Sequence, residues 1–141
     1  VIGMEIAVGL LVAPVIFFPA EILGEGILTH YQSGILMTHI FLRFNMMLAF
    51  VSFLSFFAEA YMYLKKRGDL WAFMMSFSTL IAMGLFVFYF TPFILEAQSQ
   101  GVTATQTATF SSMHKGSEIA VKIILITQSI ILGRRVWLLG R

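Results

Sequence analysis

Three side chains with chemical capability recur at four-residue spacing in the last third of the chain: His114, Glu118 and Lys122. At i, i+4 and i+8 they share one slowly turning stripe of a helix. The order of acid before base favours an intrahelical ion pair between Glu118 and Lys122. Two readings are open: the stripe neutralises itself while packing its helix into a bundle, or it lines a polar cavity open to the outer side. In the second reading, imidazole, carboxylate and amine at membrane depth suit a relay of protons or small cations.

Four more groups interrupt apolar sequence: Glu5, His39, Arg43 and Asn45, with Glu59 near a segment end. At about 100° per residue, Asn45, Ala49, Ser52 and Glu59 share a face of mainly small residues, the kind that membrane helices use to pack. His39 and Arg43 fall on the other side with Met47, Phe50, Leu54, Phe57 and Tyr61. Arg43 there either snorkels to the outer headgroups or meets Glu118 or an anionic ligand. Glu5 shares its face with Gly9, Val12 and Ile16, which predicts a carboxylate aimed into the bundle beside a close helix contact, with Lys122 as a candidate partner. Glu59 reads as an interfacial carboxylate.

His39 and His114 are the candidate metal or haem ligands, since neutral imidazole suits copper, zinc or haem iron. The three histidines show no local metal-ligand spacing, and no particular cofactor is implied. Methionines such as Met46, Met74 and Met83 are spread as packing residues rather than as a copper motif. There is no phosphate-binding glycine loop, nucleophile elbow or zinc-protease helix. The expectation is a chain that is not an enzyme.

These groups need a scaffold, and composition names it. The 141 residues are 59% hydrophobic and 11% charged, against about 45–50% and about 25% in soluble domains. That excludes an ordinary soluble fold and a disordered chain, and a net charge of +2 gives no reason to expect nucleic acid. With no cysteine there is no disulfide framework and no thiolate site. About 20 apolar residues span a bilayer core, and four such runs are present, at about 1–18, 35–64, 70–95 and 110–133. The chain starts in apolar sequence without Met, so a few residues are expected to precede Val1.

Lys65, Lys66 and Arg67 lie between the second and third runs, and Arg134, Arg135 and Arg141 follow the fourth. The other two connections carry Glu21, Glu25 and Glu96 and no Lys or Arg. The positive-inside rule then places both termini in the cytoplasm. The expected fold is an all-α, four-helix transmembrane bundle, N-in and C-in, forming one domain over 1–141 in the cytoplasmic (inner) membrane. Its partner is the lipid bilayer, with a homo-oligomer or a larger membrane complex as further options.

Several strings carry a family resemblance: Gly9 with Pro14, Phe17 and Phe18; Gln32-Ser33-Gly34 leading into Ile40-Phe41-Leu42-Arg43-Phe44-Asn45; and Phe110-Ser111-Ser112-Met113-His114-Lys115-Gly116-Ser117-Glu118. Together they resemble the transmembrane protein 205-like family of small four-helix membrane proteins. The resemblance implies the architecture and no mechanism. The site expectation is therefore a polar intramembrane cluster of Glu5, Arg43, Asn45, His114, Glu118 and Lys122 that relays protons or small cations. The alternatives are a haem- or metal-binding protein using His39 or His114, and a structural or assembly subunit.

Overall fold

The computed structural model describes residues 1–24 and 26–140, and the side chains of all of these except Glu21, Leu23 and Leu139. Glu25 and Arg141, read above as topology markers, lie outside the described residues, as does the side chain of Glu21. Among the described residues the chain is helical, with no strand. The helices are α1 (Ile2–Phe17), α2 (Ala20–Leu23), α3 (His30–Leu64), α4 (Leu70–Ser99), α5 (Val102–Thr105) and α6 (Ala108–Leu139).

The three long helices start where a side-chain oxygen can take an otherwise unbonded N–H. Thr29 and Gln32 form a reciprocal capping box at α3. Asp69 accepts from the Ala72 N–H at α4, and Thr107 accepts from the Phe110 N–H at α6. The Thr29 cap starts α3 at His30, ahead of the apolar run, and the ring of His30 lies 5.3 Å from that of Phe17.

Two helices are broken in the same way. A π-helical turn at Val8–Val12 precedes Pro14 in α1, and another at Phe86–Phe90 precedes Pro92 in α4. Proline has no N–H, and its ring clashes with the carbonyl four residues back. The wider turn relieves that clash and shifts the phase of the residues on either side. That shift corrects the expectation at Gly9: it is exposed, with no neighbouring atom within 4 Å of where a Cβ would stand, and makes no close helix contact.

α3, α4 and α6 are each long and apolar enough to cross a membrane, which marks the chain as a small membrane protein in contact with lipid. α1 is apolar but shorter. The polarity of the molecule is inverted relative to a water-soluble one. Met46, Phe50, Phe88 and Trp71 are exposed, while Asn45, Ser52, Ser76, Thr79, Thr91, Ser117, Thr127 and Gln128 are buried. A core of Phe44, Leu48, Ala82, Met83, Phe86, Ala120 and Ile124 joins the three long helices, with Val1 packed against it.

Candidate functional site

Two polar layers flank that apolar core. On one side, the Thr79 and Thr127 hydroxyls meet at 2.6 Å between α4 and α6. On the other, Asn45 of α3 and Thr91 of α4 meet at the π-helical turn. The Thr91 hydroxyl donates to the Phe86 carbonyl at 2.7 Å, which leaves its oxygen to accept from Asn45 Nδ2 at 3.4 Å. This arrangement fixes the Asn45 amide, because a hydroxyl whose proton is already committed must face a donor. Asn45 Oδ1 is then a buried acceptor with no hydrogen-bond partner.

Glu5 of α1 is buried as well. α1 meets the start of α3 where Ser33 Oγ donates to the Ile16 carbonyl at 2.7 Å. Glu5 is 7% exposed, and neither of its carboxylate oxygens has a hydrogen-bond partner among the described residues. Among the described residues, the buried side-chain atoms without a hydrogen-bond partner are the two Glu5 oxygens, Asn45 Oδ1, Ser52 Oγ and Gln128 Nε2. Buried polar groups are nearly always bonded. Of these exceptions, the Glu5 carboxylate is acceptor-only when ionised, which suits a proton or a small hard cation, both of which seek oxygen.

The remaining predicted residues lie elsewhere. Arg43 is exposed on the same outward face of α3 as His39, Met47, Phe50, Leu54, Phe57 and Tyr61, and it has no ion pair among the described residues. It does not meet Glu118. His114, Glu118 and Lys122 do form one stripe, with His114 Nε2 at 3.3 Å and Lys122 Nζ at 3.6 Å from the Glu118 carboxylate. Their side chains are 52%, 49% and 68% exposed. The stripe neither packs into the bundle nor lines a cavity. α6 fills the interior with Ser117, Ala120, Ile124, Thr127, Gln128 and Ile131, and one helix cannot turn both arcs inward. Lys122 accordingly does not pair with Glu5. The six residues do not assemble into one cluster.

His39 and His114 are on outward faces of different helices. Among the described residues, no three side chains of His, Asp or Glu come together as a metal-ligand group. The His114 ring instead stacks on Phe110, with centroids 6.0 Å apart and an interplanar angle of 5°.

Sequence reasoning missed the opposite end. Glu59, read as an interfacial carboxylate, is 4% exposed, and Arg135 grips it with two hydrogen bonds, one from Nε at 3.0 Å and one from Nη2. Beside it, Arg134 Nε donates to Asp69 at 2.8 Å. The Arg-Arg pair thus ties α6 to the end of α3 and the start of α4. The signal was present, since two adjacent arginines close α6 while Glu59 and Asp69 close and open its neighbours. Thr91 reads from the sequence as a polar residue of the third run and is given no role, although a threonine before proline in a span marks a break whose carbonyl needs a donor.

A family described as a domain of unknown function (DUF4149) matches residues 1–103. The match contains Glu5, Asn45 and Thr91; the His114–Lys122 stripe lies beyond it. No curated protein and no solved structure matches the chain.

Proposed function

The chain belongs to the DUF4149 family, and from that premise we propose a non-enzymatic membrane protein whose buried Glu5 exchanges a proton or a small cation. The observation that carries this reading is the Glu5 carboxylate buried inside the bundle with no hydrogen-bond partner among the described residues. An ionisable group kept at membrane depth without a partner is costly, and such groups mark ion and proton paths. The reading moves the relay from the exposed Glu118 to the interior.

The proposal counts α1 as a fourth span, with both ends of the chain on the cytoplasmic face of the inner membrane. α1 is about 24 Å long at 1.5 Å per residue, a little under the roughly 30 Å core. It is held to α3 at Ser33 and His30. Lys65, Lys66, Arg67, Arg134 and Arg135 gather at one end of the bundle, as the Arg134–Asp69 and Arg135–Glu59 pairs require, and that supports the N-in, C-in arrangement. One membrane-embedded unit over 1–141 and a likeness to the transmembrane protein 205-like family belong to the same reading.

Proteoliposomes test it. Purified protein should carry protons or sodium down an imposed gradient; Glu5→Gln should abolish that flux, while Glu118→Gln leaves it intact. Wild-type flux no greater than that of empty liposomes would sink the proposal.

A further inference from the structure

The exposed stripe of α6 is separate from the Glu5 site, and it needs its own explanation. Glu118 lies sixteen residues before Arg134, which is about 24 Å along the helix. A core of roughly 30 Å measured from Arg134 therefore includes both Glu118 and Lys122. A half-exposed carboxylate and an ammonium in that zone would face hydrocarbon if nothing covered them. The arc that carries them continues through Ser111, Ser129 and Gly133, all small and exposed. Nothing stands within 4 Å of a Cβ built at Gly133, so another helix can approach the backbone there.

We propose that this face of α6 is the interface with a second copy of the same chain, joined about a two-fold axis along the membrane normal. Charge complementarity selects that occupant. The face reads base, acid, base through His114, Glu118 and Lys122, so two identical helices side by side set Glu118 level with its counterpart and diagonally, one helical turn away, from both Lys122 and His114 of the other copy. An isologous contact of this kind is self-complementary. The small residues let the two backbones approach closely, as membrane helix pairs require. The buried arc of α6 faces away from the stripe, so each bundle stays intact on pairing. The inference does not rest on the Glu5 reading.

Because the chain has no cysteine, single cysteines report the interface in native membranes. Under mild oxidation, Ser111→Cys and Ser129→Cys should give a cross-linked dimer; Ile123→Cys and Met46→Cys, exposed on other faces, should not. A second experiment separates contacts between copies from the pair within one helix. Glu118→Lys gives a chain with two lysines, and Lys122→Glu gives one with two glutamates, so neither holds the intrahelical pair. Each alone should lose self-association, and the two differently tagged chains should co-purify when expressed together. If the charge variants fail to fold, the cysteine pattern decides alone. The proposal is overturned if the cross-links ignore the face, if Ser111→Cys and Ser129→Cys link only to a different protein or to nothing, or if folded charge variants associate as before or fail to recover on mixing.

Discussion

Gly116 shows how closely α6 approaches the broken part of α4. A Cβ at this position would stand 2.6 Å from Cε1 and 2.7 Å from Cζ of Phe90, far inside contact distance. The ring must move, and Gly116→Ala should cost about 1–3 kcal/mol as an overpacked site. In a Phe90→Leu background that cost should shrink, because the two residues are coupled; thermal unfolding of the four proteins in detergent measures it. At the other end, Glu59 depends on Arg135. Arg135→Leu leaves a buried carboxylate without its partner and should cost about 3–5 kcal/mol, whereas adding Glu59→Leu should recover much of that loss. The first contact could not be read from the sequence, and the second only as opposite charges near segment ends. Gly116 gives no local sign of a partner twenty-six residues away, and Glu59 is legible only as an acid near a segment end until the fold brings α6 across it.

At the scale of the helix, periodicity was a sound guide wherever the helix was regular. In α3 the face of Asn45, Ala49, Ser52 and Glu59 turns inward and that of His39, Arg43, Met47, Phe50, Leu54, Phe57 and Tyr61 turns outward, as 100° steps predict. In α1 the same arithmetic failed at Gly9, because the π-helical turn ahead of Pro14 adds a residue to the count. In α6, periodicity grouped His114, Glu118 and Lys122 but could not say which way they face, since a bundle with a polar interior offers polar groups two homes. The start of α4 supplies a pH test. The Ala72 N–H, helped by Arg134, holds the Asp69 carboxyl below its ordinary 3.8. A carboxyl depressed by folding adds stability that is fully present above its unfolded value and lost as pH falls through the folded one. Asn keeps the capping oxygen but not the charge, so the gap in melting temperature between wild type and Asp69→Asn should be constant above pH 3.8 and close as the solution becomes more acid.

For the whole molecule, composition identified a membrane protein, and the structure shows how that composition is distributed: large apolar side chains outside, hydroxyls and amides within. Interior polar groups answer one another at Thr79 with Thr127 and at Asn45 with Thr91, while Ser52 Oγ and Gln128 Nε2 find no partner among the described residues. Glu5 is the ionisable side chain left so, and the functional account turns on that difference. If its carboxylate is retained for exchange rather than for cohesion, the fold is paying for it. Removing an unbonded buried acceptor relieves a desolvation penalty of about 1–3 kcal/mol, more for a charged group. The most direct test is the thermal unfolding midpoint of Glu5→Leu against wild type in the same detergent. The account predicts a midpoint equal to or above wild type; a clear fall would make Glu5 a structural partner and contradict it.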